Sequence, residues 1–164
     1  MCHLVVNAAN NGDKRVQEDV QRITGRTTSV YNTSTTPAEL AHAIFHTAYM
    51  GTDNSSQATR ARASNLAKQI GSYHLNMKID TMVNAVVSTF ELLTGKRPRF
   101  SIHGGTMQED LALQNIQARL RMVTAYLLAQ LLPWVRSRST FLLVLGSANV
   151  DEGALSADVY SQGK

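Results

Sequence analysis

The chain has 164 residues, 43% of them hydrophobic and 17% charged, enough for one globular domain with a core and unlike a disordered tail. Sixteen Lys and Arg against 12 Asp and Glu leave a net charge of +4, a mild preference for anionic partners. The single cysteine, Cys2, excludes an intramolecular disulfide framework, and no apolar stretch reaches the roughly 20 residues of a bilayer span, so a cytoplasmic protein without a membrane partner is expected.

Leu4 to Asn10 passes from apolar to polar, and Asn10, Asn11, Gly12 and Asp13 mark a turn. Val16, Val20 and Ile23 then recur at helical spacing, with Gly25 as C-terminal cap, before a Thr-, Ser- and Asn-rich loop. Thr36, Pro37 and Glu39 spell a capping box that opens a second helix. The β-branched and aromatic character from Ile44 to Met50 predicts a strand ending at Gly51.

Asn54 to Gln57 repeats the capping-box pattern ahead of a helix that runs to about Ile70 and stops at Gly71. Leu75, Met77 and Ile79 alternate with His74, Asn76 and Lys78, a second strand. Asp80 is placed to cap the next helix, whose stripe is Val83, Val86, Val87 and Phe90. The longest helical pattern, about 107–132, carries Ile116, Leu120, Val123, Leu127 and Leu131. Phe141 to Leu145 is a continuous apolar run, the composition of a strand covered on both faces. Helices alternating with strands predict an α/β layered domain.

In such sheets ligands gather beyond the C-terminal ends of the strands, which singles out Tyr49 to Thr52 and Gly146 to Glu152. Ser147 and Asn149 offer hydrogen bonds, and Asp151 and Glu152 offer the hard oxygens that Mg²⁺ takes beside phosphates; ordinary loop composition is the alternative. Asn115 and Arg119, four apart, share a helix face. They read either as a phosphate clamp or as part of a salt bridge at the core edge.

Other patterns carry less. His42 and His46 have the spacing of a zinc helix, but Ala43 replaces its glutamate and no third ligand is apparent. His103 to Thr106 lacks the preceding strand and following lysine of a phosphate loop. Lys96 to Arg99 has no interleaved aromatic residue and reads as a solvated loop, not a nucleic-acid patch. No nucleophile and base are spaced as a catalytic group, so no catalytic residue is assigned.

Leu111 to Met122 and Leu143 to Glu152 resemble the synthetase domain of eukaryotic glutamine-dependent NAD⁺ synthetases. Tyr49-Met50, Asn54 to Ser56, Gln69 to His74 and Gly104-Gly105 are similar to that family in the same order. The resemblance covers about residues 1–152 and leaves 153–164 as an atypical tail on a partial domain. It implies a three-layer Rossmann-like fold of the adenine nucleotide alpha hydrolase type, a parallel sheet flanked by helices. It also implies an ATP-dependent carbon–nitrogen ligase: deamido-NAD⁺ is activated as an adenylate, and ammonia displaces AMP to give NAD⁺. ATP and Mg²⁺ are the implied cofactors, small-molecule nucleotides the partners, and glutamine the ammonia source in the longer, homo-oligomeric members.

By motif position, Asn115 and Arg119 would contact deamido-NAD⁺, Tyr49, Met50 and Ser147 would contact ATP, and Glu152 would hold the metal. The family's first strand and Ser-Gly-Gly-x-Asp-Ser phosphate loop have no counterpart from Met1 onward. Asp110 stands where the family usually has Asn, and the segment after Glu152 is shorter than the family's and lacks its lysine. The domain is therefore expected to be truncated at both ends and inactive as an isolated fragment. A non-catalytic nucleotide-binding or assembly module derived from the enzyme is the alternative.

Overall fold

The structure, a computed structural model, describes residues 1–24, 36–138 and 140–145. Among these residues the elements are α1 (Cys2–Asn10), α2 (Lys14–Thr24), α3 (Pro37–Ile44), β1 (His46–Gly51), α4 (Gln57–Ile70), β2 (Tyr73–Lys78), α5 (Asp80–Thr94) and α6 (Met107–Val135), with a 3₁₀ turn at Ser101–His103. Two compact units divide the chain, Met1–Val123 and Thr124–Lys164. Gly25, Ser147, Glu152 and the tail 153–164 lie outside the described residues.

Local chemistry sets most boundaries. At α3, Thr36 Oγ1 accepts the Glu39 N–H at 3.2 Å while the Glu39 carboxylate accepts the Thr36 N–H at 2.8 Å, the expected capping box. Two other expected caps shift. Ser55 Oγ is taken by the Thr52 N–H, so Ser56, not Asn54, caps α4 by accepting from Thr59. Asp80 does not cap α5 either: Ile79 holds that position without a side-chain bond, and the Asp80 carboxylate turns to the Asp53 N–H instead. Because α3 runs to Ile44, His46 begins β1 and never shares a helix face with His42. The two rings lie against Tyr73, with centroids 5.2 and 5.4 Å from its own.

β1 and β2 form a parallel pair in which Tyr49 faces Asn76 and Met50 faces Met77. Parallel neighbours need a crossover, and α4 is that crossover. Alternation sends the two residues to opposite faces. Tyr49 meets Arg60 of α4, whose guanidinium carbon is 5.9 Å from the ring centroid, while Met50 packs on the core of Ile79, Val83, Val87 and Leu113. Within the first unit, α4 thus covers one face of the sheet, and α5 with the start of α6 covers the other. Val6, Val20 and Leu40 form a smaller core joining α1, α2 and α3.

The apolar stripes outrun these cores. Val86 and Phe90 on α5 stay exposed, and on α6 the core contacts end at Leu120, leaving Val123 exposed. In the second unit Pro133 interrupts the hydrogen bonding of α6 without ending the helix. Proline lacks the N–H that would reach back four residues, so the Ala129 carbonyl is released, and the Leu142 N–H takes it at 3.0 Å. The helix closes on Ser137, a non-glycine residue at φ 56°.

One expectation is overturned here. Residues 141–145 form no strand, and Phe141, Leu143 and Leu145 are exposed. An apolar run becomes a buried strand only where a neighbour offers it a ladder, and among the described residues β1 and β2 pair only with each other.

Candidate nucleotide site

The C-terminal end of β1 is tied down from several directions. The Gly51 carbonyl accepts the Ile79 N–H at 2.9 Å, which joins the strand end to the start of α5. The chain then turns sharply: Ser55 Oγ accepts from the Thr52 N–H at 2.8 Å, and the Ser55 N–H returns to the Thr52 carbonyl at 2.9 Å. Asp53 donates its N–H to Asp80 Oδ1 at 3.1 Å, and its carboxylate pairs with the Lys78 ammonium. A Cβ at position 51 would sit 2.7 Å from Tyr49 Cε1, so the absent side chain of Gly51 is what lets the tyrosine ring lie back over its own strand.

Arg121 reaches this end from α6. Its half-buried guanidinium donates from Nε to the Met50 carbonyl at 3.0 Å, a bond between residues 71 apart in sequence. The start of α6 is fixed by two glycines and a cap. Gly104 takes φ 83°, and Gly105 lies so close to the Arg99 carbonyl that a Cβ there would be 1.9 Å from its oxygen. Thr106 and Glu109 then form a capping box. The Thr106 backbone N–H, followed by its hydroxyl, holds the Glu109 carboxyl below the usual glutamate range. Asp110 accepts the Ser101 N–H and the Gln114 amide, so the acid at this position clamps the loop to the helix.

Further along α6, Arg119 Nη1 donates to Asn115 Oδ1 at 2.9 Å and to the Asn115 carbonyl at 3.2 Å. Both residues are exposed, and among the described residues no carboxylate pairs with Arg119. Among the described residues, then, Arg119 makes no salt bridge at a core edge. Two helical residues' separation puts Arg119 and Arg121 about 160° apart around the axis. Arg121 turns to β1 and Arg119 away from it. The structure brings Asn115 and Arg119 together, sets Tyr49 and Met50 side by side on opposite faces, and does not join the two groups.

Arg121, Asp80 and Asp53 were not among the candidates from spacing. A bond from a side chain to a distant carbonyl leaves no periodic trace. The one visible signal at Arg121 is its place in the run Ala118-Arg119-Leu120-Arg121-Met122.

Comparisons with known proteins give this geometry a family. A glutamine-dependent NAD(+) synthetase of Saccharomyces cerevisiae is 56% identical over 154 residues, 93% of this chain and 21% of that protein. One of Mus musculus is 54% identical over 155 residues, 94% of this chain and 21% of that protein. The chain spans about a fifth of the length of the curated relatives it matches. The crystal structure of a glutamine-dependent NAD(+) synthetase from Cytophaga hutchinsonii aligns with a TM-score of 0.57 at 22% identity, covering 74% of this chain and 20% of that one. That likeness shows the fold, a Rossmann-like α/β arrangement. The sequence model of NAD synthase matches residues 23–155, most of the chain, which therefore belongs to the NAD synthase family.

Proposed function

We propose that the chain supplies nucleotide-binding surfaces to an ATP-dependent carbon–nitrogen ligase that amidates deamido-NAD⁺ to NAD⁺ through an adenylate. ATP lies at the C-terminal end of β1, against Tyr49 and Met50, with Ser147 as a further contact. Deamido-NAD⁺ is held by Asn115 and Arg119. The observation that carries the reading is the Arg119 guanidinium itself: exposed, oriented by Asn115 Oδ1 at 2.9 Å, and not neutralised by a carboxylate among the described residues. A guanidinium presents five donors in a rigid fork, so the bond to Asn115 orients it and leaves donors for a phosphate.

Glu152, a carboxylate, has the donor chemistry that Mg²⁺ prefers, and a cation held there would neutralise phosphate charge. No side chain of the chain is assigned as nucleophile or base. Its residues act by orienting two nucleotides and balancing their charge, which are the large contributions in adenylate-forming chemistry. Ammonia drawn from glutamine, a homo-oligomeric assembly and a cytoplasmic setting belong to the same reading.

Titration calorimetry with ATP and with deamido-NAD⁺, each in the presence of Mg²⁺, tests it. Heat is expected from both, and Arg119→Ala is expected to weaken deamido-NAD⁺ about tenfold or more while leaving ATP unchanged, the loss of one charge-assisted contact. Silence from both nucleotides overturns the reading and leaves an assembly module.

A further inference from the structure

The turn after β1 has two kinds of bond. The pair between Thr52 and Ser55 shapes it from within and says nothing about where it sits. Among the described residues, only Lys78 and Asp80 reach Asp53 from another part of the chain. The Lys78 pair joins two largely exposed side chains and is weak in water. Asp80 differs in three respects. It accepts from main chain, so it fixes the path of the turn and not merely a side chain. It stands on a rigid base, the first residue of α5, directly after Ile79, whose side chain is fully buried and whose N–H is bonded to Gly51. Its other oxygen, Oδ2, is shielded from solvent and has no hydrogen-bond partner among the described residues. A shielded carboxylate oxygen without a partner weakens a fold and calls for a reason beyond packing.

We propose that Asp80 is a positioning residue for nucleotide binding: through Oδ1 it holds the main chain of Thr52 to Ser55 in the place where that turn meets ATP. The inference rests on the proposed ATP site at the end of β1. Asp80 does not itself touch the nucleotide. It sets the turn that does, from the junction of β2 and α5, so that the ends of both strands move as one piece. Removing the carboxylate frees the Asp53 N–H, lets the turn drift, and weakens ATP without touching the Asn115–Arg119 surface.

The test compares the full chain with Asp80→Ala and Asp80→Asn, the second of which keeps an acceptor oxygen. Amide hydrogen exchange at Asp53 is expected to rise about tenfold in Asp80→Ala and to return within twofold of the parent in Asp80→Asn, the change due to one lost hydrogen bond. ATP affinity by calorimetry should follow the same pattern, while deamido-NAD⁺ affinity stays within twofold throughout. Unchanged Asp53 exchange in Asp80→Ala overturns the proposal, as does faster exchange with parental ATP affinity, or a parallel loss of both nucleotides. A parent chain that takes no ATP removes instead the ATP site on which the role depends, a separate failure. Should Asp80→Ala not fold, Asp80→Glu keeps an acid in the first turn of α5 but moves the acceptor by one methylene. Parental ATP affinity in that variant overturns the proposal too.

Discussion

The end of β1 and the Asn115–Arg119 pair both present polar groups to solvent, yet they are held in opposite ways. The strand end is fixed by bonds from α5 and α6 and by its own turn, with Met50 in the core below. The pair on α6 rests on hydrogen bonds between residues one turn apart on an exposed face. A change at the first is therefore felt by the whole unit, whereas a change at the second remains local. Binding and stability separate cleanly only at the second.

The largest expected effect breaks the first region at its base. Ile79 is fully buried among Val83, Val87 and Leu113, and Ile79→Ala should destabilise the chain by about 3 kcal/mol in urea unfolding, transfer and cavity terms together. A loss below about 1 kcal/mol would mean that the strand end does not depend on the core beneath it. Next comes Arg121→Ala, which strips the Met50 carbonyl of a charged donor in a half-buried place. About 2 kcal/mol is expected, with faster amide exchange along β1.

These two positions also mark what the sequence could and could not disclose. Helices α2 to α6, both strands of the parallel pair and the box at Thr36 follow from spacing and cap chemistry, which act over three or four residues, whereas the pattern of α1 gave no helical signal. Asn115 and Arg119 were visible for the same reason. Arg121 and Asp80 were not, because their partners lie 71 and 27 residues away and nothing periodic announces them. The apolar run at 141–145 erred in the reverse direction: composition describes what a strand needs, while a strand exists only beside a partner. The capping box at Thr106 and Glu109 was legible and obscured by the glycines before it, which invited comparison with a phosphate loop.

That box supplies the third expectation. Thr106→Ala should lower stability by about 1 kcal/mol, the usual worth of an N-cap side chain. It should also let the Glu109 carboxyl titrate closer to its ordinary value, because one of its two Thr106 bonds is gone. The sign is fixed by the direction of the shift. Glu109 is held below the usual range in the folded chain, so its contribution is complete above the unfolded-state value and fades as pH falls through the folded one. Unfolding followed from neutral pH into the acid range should show that fade in the parent and less of it in Thr106→Ala.

The smallest effect on stability belongs to the exposed pair and is the most informative about function. Asn115→Ala removes the side-chain acceptor of Arg119 but leaves the Asn115 carbonyl at 3.2 Å, so the guanidinium loses orientation and keeps its charge. Hydrogen-bonded neighbours one turn apart contribute at most about 0.5 kcal/mol to a helix, so the unfolding midpoint should hardly move. Deamido-NAD⁺ affinity should fall severalfold, because a side chain free to rotate must be ordered when the nucleotide arrives. Raising the salt concentration should weaken parent and variant alike, since the charge is common to both. A loss of nucleotide affinity in Asn115→Ala as large as in Arg119→Ala would show that the Asn115 carboxamide contributes as much to holding the nucleotide as the guanidinium it orients.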